Sequence, residues 1–185
     1  MKTLNFLSLF SGIAGFEKGI EEARVNWNCI GFSDIYKPSV KIYKKNYPGH
    51  KELGDLTTIL PKKKLEGVNV DILLAGFCCQ PYSVAGKREG LNDDRGQLIY
   101  RVFDIVKAKK PSVIFLENVK GLVSQEDGST LDRIVREIDE LGYDVNYEVL
   151  NTVNYGLPHN GHFIHFGVFK PSFMATTKSL RNNIF

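Results

Sequence analysis

Apolar runs of strand length alternate with segments of helical periodicity along this chain, and that alternation leaves few folds open to it. Strand-like runs cover Leu4–Phe10, Asn28–Ser33, Val70–Ala75 and Val113–Leu116. Between them the pattern predicts helices over about Phe16–Ala23, Pro38–Asn46 and Leu98–Ala108, with a short piece at Leu53–Thr57. In the third helix Leu98, Val102, Ile105 and Val106 recur at helical spacing. Lys107, Lys109 and Lys110 suit its C-terminal end, and Pro111 lies beyond. A later helix carries Leu131, Ile134, Val135, Ile138 and Leu141, with Ser129 or Thr130 as its cap and Gly142 as its stop. Tyr147–Leu150 and Phe163–Phe169 read as two last strands, a hairpin across the Gly156–Gly161 loop. This order predicts an α/β fold with a mainly parallel sheet and helices on both faces. Its 185 residues suffice for one core-bearing domain, expected over 1–169, with 170–185 as a short polar tail.

Composition narrows the function classes. The three cysteines, Cys29, Cys78 and Cys79, are odd in number and two are adjacent, which does not read as a disulfide framework. No CxxC pair or Cys/His cluster suggests zinc, so no metal is expected. The net charge of +3 and pI of about 8.7 suit a polyanionic partner without requiring one. No segment approaches a membrane span, and the apolar run after Met1 is too short for a signal peptide. A soluble, cytoplasmic protein is expected.

In an open α/β sheet, chemistry gathers where the strands end. Phe10-Ser11-Gly12-Ile13-Ala14-Gly15 lies between the first strand and the first helix. Its glycines let backbone approach a ligand, and a helix N-terminus favours electron-rich groups; a plain tight turn explains the segment about as well. Asp34, about twenty residues on at the end of the second strand, is placed to hold ribose hydroxyls, the alternative being a solvated loop acid. Gly54-Asp55 offers a second carboxylate, able to accept from an adenine amino group. Neither a GxGxxG fingerprint nor a P-loop is present, which points away from NAD and ATP and toward a nucleoside cofactor lacking a pyrophosphate.

Gly76-Phe77-Cys78-Cys79-Gln80-Pro81-Tyr82-Ser83 then puts cysteine on a loop straight after a strand. A thiolate there can act as a nucleophile, whereas an isolated cysteine is more often a small buried hydrophobe. Glu117 follows another strand, and a parallel sheet could bring it to the same edge. A cysteine beside a carboxyl group suits attack on a ring whose nitrogen must take a proton.

The ordered set resembles the DNA (cytosine-5) methyltransferases of bacterial restriction-modification systems, over about Leu4–Phe169. Phe10 to Phe16 resembles their S-adenosylmethionine loop, Gly54-Asp55-Leu56 a second cofactor motif, and Gly76 to Ser83 the Gly-Phe-Pro-Cys-Gln-x-Phe-Ser catalytic loop. Asp94-Arg95-Gly96-Gln97-Leu98, Glu117-Asn118-Val119 and Asn151 to Pro158 match further motifs in the same order. The resemblance implies a Rossmann-like methyltransferase fold, S-adenosylmethionine as donor, S-adenosylhomocysteine as product, and double-stranded DNA as partner. It makes Cys79 the nucleophile on carbon 6 of a flipped cytosine and Glu117 the group that binds the ring nitrogen and amine. Phe10, Gly12, Ile13, Ala14, Gly15, Phe16, Asp34, Ile35, Asp55, Leu56 and Leu98 would line the cofactor pocket. Gln80, Ser83, Lys87, Arg88 and Arg95 would belong to the DNA-side loop, Lys87 and Arg88 as phosphate contacts.

Four departures qualify the resemblance. Ala14 stands at the family's second glycine, a mild change unless φ must be positive there. Cys78 stands where the family has proline, losing a φ constraint. His159-Asn160-Gly161-His162-Phe163 replaces Gln-x-Arg-x-Arg, so both guanidinium groups are missing, and His159 or His162 are the candidates to compensate. Residues Lys170 to Phe185 are too few for the family's target-recognition domain. The alternative expectation is therefore a non-catalytic homologue, or one subunit of a split enzyme whose partner carries that domain.

Overall fold

Strand β3, Ile72–Gly76, shows why an unbroken apolar run is needed: all four of its side chains, Ile72 to Ala75, are buried, so both faces are covered. The computed structural model describes residues 3–23, 26–60, 63–77, 97–156, 158 and 161–172. Two compact units emerge, Met1–Phe77 with Leu98–Pro111, and Cys78–Gln97 with Ser112–Phe185.

The first unit holds β1 (Leu4–Leu9), α1 (Gly15–Glu22), β2 (Trp27–Ser33), α2 (Lys37–Asn46), β3 and α3 (Leu98–Lys109). Its strands lie in the order β2-β1-β3, and both pairings are parallel. Leu9 is in register with Ser33 on one side and Ala75 on the other, so the three strands end together at one edge. Leu7, Leu9, Leu73, Leu74 and Ala75 are at most 2% exposed and form the centre of this core. Helix α3 buries Ile99, Val102, Phe103, Ile105 and Val106. The Lys109 ammonium bonds the carbonyls of Leu65 and Val68, so one of the lysines at its C-terminal end holds a loop in place. The register of β2 slips between Cys29 and Gly31. At Gly31 a side chain would meet Leu53 side-chain carbons at 2.8 Å, so any larger residue would have to displace the buried Leu53 that covers this strand.

The second unit holds β4 (Val113–Val119), a 3₁₀ stretch Lys120–Gly128, α4 (Ser129–Glu140), β5 (Asp144–Asn151) and β6 (His162–Phe169). Their order is β4-β6-β5, with β6 antiparallel to both neighbours. The expected α/β class and the closing hairpin stand, and the reversed β6 makes the sheet architecture mixed. Three local expectations are corrected. β4 does not stop at Leu116: pairing with β6 carries it through Glu117 to Val119. β5 is twice its expected length for the same reason, since all eight of its residues pair with β6. Neither Ser129 nor Thr130 caps α4. Gly128 occupies the cap position with φ +90°, and both hydroxyls donate instead to Glu126.

Candidate active site

At the edge where β1, β2 and β3 end, the backbone turns sharply. Phe10 has φ +52° and Gly12 φ +54°. Ala14, the residue before α1, has φ +81° and ψ +42°, a left-handed conformation that costs a side-chain-bearing residue about 1–2 kcal/mol. The substitution at the family's second glycine therefore falls where φ is positive. The Ser11 N–H donates to the Ser33 carbonyl at 3.1 Å, and the Gly12 N–H to Asp34 Oδ2 at 2.8 Å. Asp34 Oδ1 accepts the Tyr36 N–H at 2.7 Å. Its carboxylate is thus held by one donor on each oxygen, with remaining lone pairs for a ligand.

The Ser33 hydroxyl donates to the Gly54 carbonyl at 2.6 Å, tying the second carboxylate loop to the first. Asp55 is exposed, and its Oδ1 accepts the Thr57 N–H and hydroxyl, each at 2.8 Å. Ile13 and Ile35 are 61% and 73% exposed. The two carboxylate loops, linked by the Ser33–Gly54 bond, thus lie with exposed aliphatic side chains and a turn of positive φ beyond the ends of β1 and β2. Phe16 and Leu98 are half-buried, while Leu56 is buried and Gly15 exposed.

In the second unit, Glu117 sits inside β4 directly across from His165 on β6, and His165 in turn faces Glu148 on β5. Directly paired residues project to the same face of a sheet, with Cβ atoms about 4.5–5.5 Å apart. Glu117 is half-buried, and burial pushes its carboxyl up to about 7; burial also holds the His165 imidazole below the ordinary histidine range. Strand alternation puts Phe163 on the Glu117 face, opposite Val119, and turns His162 to the other face, where it is exposed. His162 is therefore not the neighbour of Glu117. His165 is, and the sequence reading passed over it; counting pleats back from Glu117's partner strand would have found it.

Cys78, Cys79, Gln80, Ser83, Lys87, Arg88, Arg95 and His159 lie outside the described residues. Among the described residues no group of three His, Cys, Asp or Glu side chains could hold a metal ion, and no helix is long and apolar enough to cross a membrane.

The sequence pattern of the family described as C-5 cytosine-specific DNA methylase matches residues 4–178. The chain is 42% identical over 171 residues to the Type II methyltransferase M.NlaIV of Neisseria lactamica, covering 86% of this chain and 40% of that protein. It is 36% identical over 167 residues to the Type II methyltransferase M.HhaI of Haemophilus parahaemolyticus, covering 90% and 49%. This chain thus spans less than half the length of these curated relatives. Its fold matches the solved structure of the Entamoeba histolytica methyltransferase EhMeth with a TM-score of 0.75 at 21% identity, over 91% of this chain and 53% of that one.

Proposed function

This chain belongs to the C-5 cytosine-specific DNA methylase family, and from that premise we propose that it is the catalytic portion of an enzyme transferring a methyl group from S-adenosylmethionine to carbon 5 of cytosine in DNA. The observation that carries the reading beyond the family is Glu117. Its carboxyl, pushed up to about 7 by burial, can hold a proton at neutral pH, which a ring nitrogen needs as the ring accepts electrons.

The loop cluster of the first unit suits the cofactor's chemistry. Asp34 and Asp55 supply acceptors for hydroxyl and amino groups, and the exposed Ile13 and Ile35 offer apolar surface to a purine. When bound, S-adenosylmethionine supplies an electrophilic methyl group. Cys79 forms a bond from sulfur to carbon 6 while the ring's electron pair moves toward the nitrogen, where Glu117 delivers its proton. With the donor bound, carbon 5 would take the methyl group and S-adenosylhomocysteine would leave; a water or other base would then remove the carbon-5 proton, the Cys79 thiolate would leave carbon 6, and the ring nitrogen would return its proton to Glu117. The base must leave the helical stack for this to happen. Gln80, Ser83, Lys87, Arg88 and Arg95 are assigned to the DNA side of the loop, and a cytoplasmic, DNA-associated setting belongs to the same proposal.

Gly161 and Phe163, standing at the family's two arginine positions, favour a second reading. On that reading the chain binds cofactor or DNA without turnover, or needs a second subunit. Incorporation of a labelled methyl group into duplex DNA separates the two. The proposed function expects incorporation by the parent chain and a fall of at least about 100-fold in Glu117→Gln. Equal incorporation by both proteins contradicts the role of Glu117, and none by the parent favours the second reading.

A further inference from the structure

Phe10 and Ala14 carry positive φ in the turn before α1, a conformation that persists only where the surrounding structure holds it. The Ser11 and Gly12 amides hold the turn from the β2 side. A second support comes from α2, through Tyr43, which is fully buried. The Ala14 methyl group packs with Tyr43 and Phe32, and those two rings stack with their centroids 3.8 Å apart. Phe32 immediately precedes Ser33 and Asp34, the two residues that bond the turn.

The Tyr43 hydroxyl reaches two further segments. It donates to Glu17 Oε1 at 2.8 Å. Glu17 is 2% exposed and lies in the first turn of α1, three residues after Ala14. Its Oε2 has no partner, so among the described residues Tyr43 alone bonds this carboxylate. The single phenolic proton goes to Glu17, so His50 Nδ1, 2.9 Å from the same oxygen, is the donor of that pair. Cys29 Sγ, at 4.0 Å, completes the surroundings of the hydroxyl. His50 opens the segment that runs beside β2 into Gly54-Asp55. There the Phe32 N–H donates to the Lys51 carbonyl at 2.9 Å, and the Leu53 N–H to the Phe32 carbonyl at 2.8 Å. One ring and one hydroxyl thus join the backbone leading to Ala14, to Asp34 and to Asp55.

We propose that Tyr43 is a positioning residue for S-adenosylmethionine, setting these three loops relative to one another without touching the cofactor, a role that rests on the placement of the cofactor among Ala14, Asp34 and Asp55. An apolar pair would attach α1 to α2 at less cost than a buried carboxylate, so what the Tyr43–Glu17 bond supplies is a fixed position. Without the hydroxyl, the Glu17 carboxylate is left buried with no bond. The first turn of α1 must then shift to bring it to water, and Ala14 shifts with it.

Calorimetric titration of the full chain with S-adenosylhomocysteine tests the role, each variant being compared where circular dichroism shows it fully folded, so that lost stability alone leaves Kd unmoved. Tyr43→Phe keeps the ring stack and is expected to raise Kd at least about fivefold. Glu17→Ala, which removes the acceptor, should weaken binding to a similar degree, and the two changes combined should weaken it little further than either alone. Glu17→Gln, which keeps an acceptor for the hydroxyl, should recover most of the affinity. Asp34→Asn marks the site itself. If Asp34→Asn weakens binding and a folded Tyr43→Phe does not, the positioning role is overturned and the placement of the cofactor stands. Fully additive losses in the double variant also overturn the role. If the parent binds and neither Asp34→Asn nor Tyr43→Phe weakens it, or if the parent does not bind, the placement fails and the role with it. Should neither Tyr43→Phe nor Glu17→Ala fold, amide exchange in the parent decides. Because coupling is reciprocal, S-adenosylhomocysteine should slow exchange at Tyr47, whose N–H donates to the Tyr43 carbonyl, and no slowing there overturns the proposal.

Discussion

At the residue scale, Ala14 shows how two local terms compete. Its left-handed backbone costs about 1–2 kcal/mol, which glycine would relieve. Its methyl group is 3% exposed and packs with Phe32 and Tyr43, a contact worth about 0.8 kcal/mol. Glycine would also widen the unfolded ensemble by about 0.5–1 kcal/mol. These terms nearly cancel, so Ala14→Gly is expected to stay within about 1 kcal/mol of the parent in urea unfolding. A loss above about 2 kcal/mol would show that packing decides this position. The sequence could flag Ala14 only as a departure from a glycine pattern, because the sign of φ depends on how the Ser11 and Gly12 amides meet Ser33 and Asp34, twenty-two residues away.

At the scale of elements, the pairing of β4 with β6 governs the chemistry of Glu117. The apolar run Val113–Leu116 was legible as a strand, and so was β6. The extension to Val119 was not, since it is made by hydrogen bonds to a partner strand more than forty residues on. The same pairing selects His165 over His162, a choice that residue type alone cannot make. The cost of burying Glu117 has a defined sign. Its folded value of about 7 lies above its ordinary 4.5, so the associated stability is fully present below pH 4.5 and is lost as pH rises toward and through 7. The full swing is on the order of 3 kcal/mol. Glu117→Gln should remove most of that pH dependence, leaving the variant more stable than the parent at pH 8. Parallel stability curves for the two proteins between pH 4.5 and 8 would show that burial does not perturb this carboxyl.

At the scale of the whole molecule, the alternation of strands and helices was enough to order the elements and to place Asp34 directly after the end of β2. It could not reveal the Glu17–Tyr43–His50 network, whose members lie on α1, α2 and the loop after it and meet only through tertiary packing. The chain spans 40% of M.NlaIV and 49% of M.HhaI, and the residues proposed to carry the reaction fall in both compact units. The central claim is that Cys79 attacks the base, with Cys78 a bystander. Covalent trapping on duplex DNA containing 5-fluorocytosine, in the presence of S-adenosylmethionine, tests it most directly, because fluorine at carbon 5 blocks release of the thiolate. A denaturation-resistant adduct is predicted for the parent chain and for Cys78→Ser, and none for Cys79→Ser. No adduct with the parent, or an adduct lost in Cys78→Ser but kept in Cys79→Ser, would contradict it.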